Sequence, residues 1–172
     1  MSEKKQNILK VALQLFAKEG FNAVSTSRIA KEAGVSEGLI FRHFGNKKGL
    51  LDAIMEQGLE KASTYFFSMQ DENPKVFLKG IIEMLFTMSE EDKIFWRLVY
   101  SLKWSADVYD NSMSEPIKLM VRAIFSKLDY KNVDEETEYF MALMDGVATS
   151  ILLKKPDNQE ELKELILKKY RL

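Results

Sequence analysis

The 172-residue chain has no cysteine and a single histidine, His43. Without cysteine it can form neither disulfides nor thiolate metal sites, and one histidine cannot build a multi-histidine centre. The lack of cysteine also fits a reducing compartment. Three prolines and eight glycines are few for so long a chain, and no segment alternates apolar and polar residues as a half-buried strand would. No run approaches the roughly 18–20 apolar residues of a membrane span. Met1 to Lys10 likewise lacks the apolar core of a secretory leader. There is no Gly-rich phosphate loop and no metal-ligand spacing. The acid pairs Glu90–Glu91 and Glu160–Glu161 fall at expected helix starts, where they favour the helix dipole and need do no chemistry. Together these absences predict a cytoplasmic protein that is not an enzyme, holds no metal or cofactor and contacts no membrane.

What is present is helical periodicity. Apolar residues make up 46% of the chain and charged residues 30%, as in an ordinary globular protein. Ile8, Val11, Ala12, Leu15 and Phe16 form an i, i+3, i+4 stripe that ends at Gly20. Ser25 can cap a short second helix with Ile29, Ala30 and Ala33 inward, and Gly34 can close it. Ser36 can cap a third helix, Glu37 to Phe44, with Ile40 and Phe44 inward. Asn46 can cap a long fourth helix running to about Met69. Asn73–Pro74 opens a fifth, ending near Met88, with proline tolerated in its first turn. A sixth runs from Ser89 to about Trp104, a seventh from Pro116 to near Leu128, an eighth from Asp134 to Leu153, and a ninth from beyond Pro156 to Tyr170. The expectation is an all-α fold of about nine helices. A small N-terminal domain would occupy residues 1–46 and a helical body residues 47–172, joined by helix four at about 47–69.

A short helix, a glycine-containing turn and a second short helix is the pattern that lays its second helix in a DNA major groove. An ordinary helical hairpin would show it too. The charge distribution adds weight. Residues 1–50 carry nine Lys/Arg against four Asp/Glu, a balance of +5, and the remainder carries sixteen against twenty-two, a balance of −6. A basic head on an acidic body suits a protein that presents one end to a polyanion. At the start of helix two, Thr26, Ser27 and Arg28 can reach phosphates, with Ser25 mainly capping. Ser36, Glu37, Gly38, Leu39 and Arg42 lie on or near the outward side of the third helix. Lys47 and Lys48 sit in the first turn of helix four, where the dipole disfavours a cation by ~0.3–1 kcal/mol unless an anion is bound.

From Ile8 to Leu51 the chain resembles the N-terminal domain of the tetracycline-repressor (TetR) family of bacterial transcription regulators. The resemblance rests on Ile8, Ala12, Leu15, Phe16, Gly20 and Phe21, then Ile29-Ala30 and Ala33-Gly34-Val35-Ser36, and finally Gly38, Phe41, His43-Phe44 and Lys47. It covers about the first third of the chain. It implies a homodimer on a palindromic double-stranded operator, with Lys47 bound to phosphate and His43 touching the DNA backbone. Two positions depart from the family pattern. Phe41 stands where a tyrosine is usual, leaving only apolar contact with sugar, and Glu37 stands where a basic or polar residue is common. An acid beside DNA is repelled unless it accepts from a cytosine amino group.

The body is rich in methionine and aromatic residues. Met84, Leu85 and Met88 on helix five, Trp96, Val99, Tyr100 and Trp104 on helix six, and Leu143, Met144 and Val147 on helix eight could line one cavity for a small apolar or aromatic effector. A core built of large residues would look the same; the resemblance favours an inducer pocket. Helix eight is apolar on more than one face, and helix nine has one apolar stripe. This predicts a dimer interface of Phe140, Met141, Met144, Ile151, Leu162, Leu165 and Ile166 in a four-helix arrangement. The expected function is a dimeric, sequence-specific transcription regulator, a repressor released by an apolar ligand. The alternative is a ligand-independent DNA-binding protein of the same fold that acts through a protein partner in chromosome organisation or division.

Overall fold

The computed structural model describes residues 2–68, 72–103, 114–154 and 156–172. All regular structure among them is helical: α1 (Glu3–Glu19), α2 (Thr26–Ala33), α3 (Glu37–Phe44), α4 (Lys47–Ser68), α5 (Pro74–Thr87), α6 (Glu90–Leu102), α7 (Glu115–Lys127), α8 (Val133–Thr149) and α9 (Gln159–Lys169). The all-α expectation is met. Beyond Thr149, where the eighth helix was expected to continue unchanged, Ser150–Lys154 winds as a wider π turn that buries both Ile151 and Leu152. Met69 and Trp104, the expected ends of the fourth and sixth helices, lie outside the described residues.

The chain divides into two compact units, Met1–Tyr65 with Glu90–Asp107, and Phe66–Ser89 with Val108–Leu172. A boundary at residue 46 follows the sequence pattern. Packing instead groups α6 and most of α4 with the first three helices.

In the first unit, α1 starts at Ser2, whose hydroxyl accepts from the Lys5 N–H, and ends at Gly20 with φ of 87°. Its inward stripe of Ile8, Ala12, Leu15 and Phe16 is buried, and the Phe16 ring meets Phe21 edge-on at 5.2 Å. α1 packs on α2 and on α6. From α6 come Phe95, Leu98, Val99 and Leu102, and from α4 Leu50, Leu51 and Ile54, all buried. The second unit is built around aromatic rings. Phe125 of α7 is fully buried, with Tyr130 at 4.8 Å, Phe140 of α8 at 5.7 Å and Tyr170 at 5.8 Å between ring centroids. Burial holds the Tyr170 phenol well above its ordinary range. α5 packs on α7 and α9 around Phe77, Leu78, Ile81 and Ile82.

Candidate nucleic-acid interface

Local chemistry sets the α2–α3 geometry. The Ser25 hydroxyl accepts from the Arg28 N–H at 3.2 Å, satisfying one free donor at the start of α2. Gly34 takes the left-handed conformation, φ 66°, which a side chain at this position would make costly. The N–H groups of Gly34 and Val35 then fold back onto the carbonyls of Lys31 and Ala30, closing α2 and turning the chain into α3. Ser36 precedes α3 as expected, but its side chain makes no capping bond; its carbonyl accepts from the Leu39 N–H at 3.0 Å. The Thr26 hydroxyl donates to Glu37 Oε1 at 2.6 Å, tying the starts of the two helices together.

The outward side of α3 carries Gly38, Phe41 and Arg42, all exposed, with Glu37, Leu39 and His43 half-buried at its edges. Phe41 keeps 45% of its surface accessible. A Cβ on Gly38 would meet nothing within 4 Å, so this side is smooth at its first turn. Ile40 is fully buried, while Phe44, expected in the core, is only half-buried: its ring meets His43 edge-on at 6.1 Å and lies under the Lys5 ammonium.

Three of the cations expected at phosphates have partners within the chain. Lys47 donates to the carbonyl oxygens of Phe21 (3.0 Å), Asn22 (3.4 Å) and Val24 (3.1 Å), and its ammonium lies 4.5 Å from the centre of the Phe21 ring. These carbonyl dipoles offset its unfavourable place at the start of α4. Arg28 forks onto Glu19 at the end of α1, with Nη2 to Oε1 at 2.8 Å, and its Nε donates to Glu32 at 3.2 Å. The hydrogen bonds to Glu19 raise the guanidinium further above its already high range. Lys48 pairs with Asp52 one turn on at 2.8 Å. Arg42 is exposed and makes no ion pair among the described residues.

Two further cations flank α3. Lys4 and Lys31 line an open cleft of about 410 Å³ with Ala30, Gly34, Val35, Ser36 and Leu39. The sequence placed Lys31 on α2 and Lys4 before the α1 stripe, yet nothing in their spacing joins them. What does so is the packing of α1 on α2, marked by Asn7 Nδ2 donating to the Ala33 carbonyl at 2.9 Å.

Residues 8–54, running from α1 into α4, match the family described as bacterial regulatory proteins, tetR family. Residues 8–54 thus carry a TetR-family N-terminal domain. It is 34% identical over 99 residues to the HTH-type transcriptional regulator YerO of Bacillus subtilis, covering 55% of this chain and 34% of that one. It is 30% identical over 95 residues to the nucleoid occlusion factor SlmA of Glaesserella parasuis, covering 54% and 47%. The matched segments thus span about a third to a half of these relatives. A solved transcriptional regulator from Saccharomonospora viridis, in complex with choline, has the same fold: the TM-score is 0.84 at 19% identity, covering 99% of this chain and 96% of that one.

The remaining TetR-type expectations scatter over both units. Of the ten effector-site residues, Trp96, Val99 and Tyr100 belong to the first unit, and Met84, Leu85, Met88, Leu143, Met144 and Val147 to the second; Trp104 is outside the described residues. Val147 and Met144 are buried in the second unit's own core, and Met84, Leu85 and Leu143 are partly buried against it. Four expected interface residues need correction: Phe140 and Met144 of α8, Ile151 of the π turn and Ile166 of α9 are buried within the chain, where all four join the core around the aromatic cluster. Met141 and Leu162 are half-buried, and Leu165 is 64% exposed. Tyr139 of α8 and Leu153 of the π turn are exposed as well. No helix among the described residues is long and apolar enough to cross a membrane.

Proposed function

We propose that this chain is a dimeric, sequence-specific DNA-binding transcription repressor of the TetR family, acting in the bacterial cytoplasm and released when a small apolar molecule binds its C-terminal helices. The observation that carries the DNA-binding reading is the outward side of α3, where Gly38, Phe41 and Arg42 stand exposed on a helix fixed by α2. At Gly38 no side chain stands between the helix and the wall of a major groove about 12 Å wide, so the backbone can approach it closely. Gly38→Leu tests this directly. It keeps or raises thermal stability, since leucine favours a helix over glycine by up to about 1 kcal/mol, and a side chain there meets only open space. Operator binding in a mobility-shift assay falls at least ten-fold. Unchanged affinity in the folded variant would remove α3 from the groove.

The dimer reading draws on α8 and α9. Tyr139, Ala142 and Gly146 follow one another at i, i+3 and i+7 and are exposed, with open space above Gly146. Leu165 of α9 is exposed, and Lys169 near its end lies 4.7 Å from the Tyr139 ring centre. A two-fold pairing of these helices would bury those residues against their copies. Sedimentation at micromolar concentration is expected to show a dimer, and Leu165→Arg a monomer with its helical content intact. A stable wild-type monomer overturns the assembly.

The effector reading is supported by partly buried methionines, Met84 and Met88, whose flexible thioethers adapt to apolar ligands. The choline complex of the Saccharomonospora viridis neighbour supports it from outside the chain. The similarity to SlmA favours a second reading, a ligand-independent DNA-binding protein working through a protein partner in chromosome organisation or division. Selection of genomic fragments by the purified protein separates the two. A few sites beside promoters, with a thermal shift from hydrophobic compounds, support the repressor. Many dispersed sites and no shift support the alternative.

A further inference from the structure

Glu37 is an acid on the first turn of a helix that this reading places against a polyanion. Its carboxylate accepts the Thr26 hydroxyl through Oε1 at 2.6 Å. No other donor among the described residues reaches it, so Oε2 keeps its acceptor capacity. Glu37 is half-buried and Thr26 likewise, which restricts how the carboxylate can turn. Both residues were expected to touch DNA, yet a carboxylate cannot bind phosphate. Its only attractive partners on DNA are hydrogen-bond donors, and the exposed major-groove donors are the amino groups of cytosine and adenine. Adenine sets its N7 acceptor beside the amino group, and that lone pair faces a carboxylate unfavourably. Cytosine sets only an apolar C–H edge there.

We infer that Glu37, held in place by Thr26, is a base-specificity residue that selects a cytosine amino group in each half-site of the operator. The inference rests on the DNA-binding reading above. The helix dipole favours the acid at the start of α3, so the residue costs little fold stability while excluding sites that lack a donor. Repulsion from the phosphates lowers affinity for every sequence, and the cytosine contact restores it at the right one. Discrimination therefore comes as much from rejection as from attraction. Thr26 acts through Glu37 as a positioning residue.

The test is selection from random double-stranded DNA by the wild-type chain and by Glu37→Gln, Glu37→Ala and Thr26→Val, with helical content checked for each. Wild-type sites are expected to hold one cytosine position per half-site, preferred about ten-fold over other bases. Glu37→Gln moves that position toward adenine, whose N6 and N7 a glutamine amide matches, and leaves the other positions unchanged. Glu37→Ala makes the position indifferent and raises non-specific affinity. Thr26→Val keeps cytosine but weakens the preference several-fold. A wild-type motif unchanged in both Glu37 variants overturns the inference and leaves the DNA-binding reading standing. No enriched motif and no DNA binding by the wild-type chain overturns that reading, and the inference with it.

Discussion

Lys47→Met lowers thermal stability and DNA affinity together, and leaves the salt dependence of DNA binding unchanged. The ammonium bonds to three carbonyls of the loop between α1 and α2 and lies against the Phe21 ring. That loop sets where α2 begins, and α2 sets α3. Hydrogen bonds to a charged group contribute about 1.5–3 kcal/mol each at best, and water can reach a half-buried side chain. A net loss of about 2–3 kcal/mol is the reasonable scale, a fall of roughly 4–12 °C in Tm for a chain of this size. DNA affinity falls because a misplaced α3 fits no groove, for all operators alike. The resemblance to the family implies the opposite mechanism, an ammonium on phosphate. In that case Tm would hold, and the slope of log K against log salt would flatten by ~0.9 per contact, or roughly 1.8 per dimer. Calorimetry and a salt titration on the same variant decide between them.

Lys47 also shows where the sequence stops being informative. That it begins α4 was legible, because Asn46 caps the helix, with Oδ1 accepting from the Gly49 N–H at 2.9 Å. Where a flexible four-carbon side chain bends was not, since that depends on a loop more than twenty residues earlier. The same holds for Arg28, whose place at the start of α2 was clear but whose fork onto Glu19 requires the end of α1 to be nearby. Helix ends read well because their signals are local: Ser25, Gly34 and Asn73 do in the structure what their chemistry suggests. Faces read less well. α8 is apolar on several sides, and an apolar residue looks the same whether it faces its own core or a partner. Phe140 and Met144 go to the core because Phe125 and Tyr170, from α7 and the end of α9, meet there. Nor could helical periodicity tell that α6 packs on α1, since its stripe suits any apolar neighbour.

Gly58→Leu destabilises the first unit strongly, although glycine is a poor choice for the middle of a helix by about 0.8–1 kcal/mol. The reason is the ring of Phe95 on α6. A Cβ built on Gly58 would stand 2.1, 2.3 and 2.5 Å from three of its carbons, far inside van der Waals contact. Phe95 is buried and packs edge-on against Trp96 at 5.3 Å, so the ring cannot simply swing aside. The gain in helix propensity is therefore outweighed by overpacking, which costs about 1–3 kcal/mol for extra methylenes and more where the ring is pinned. Phe95→Ala alone should cost about 3–5 kcal/mol through the cavity it leaves. The two changes compensate: leucine from α4 fills space that the ring vacates, and the double variant is more stable than the sum of the single losses by at least 1 kcal/mol. Denaturant unfolding of the four proteins measures that coupling. Additive losses would mean that Phe95 does not rest on the α4 backbone.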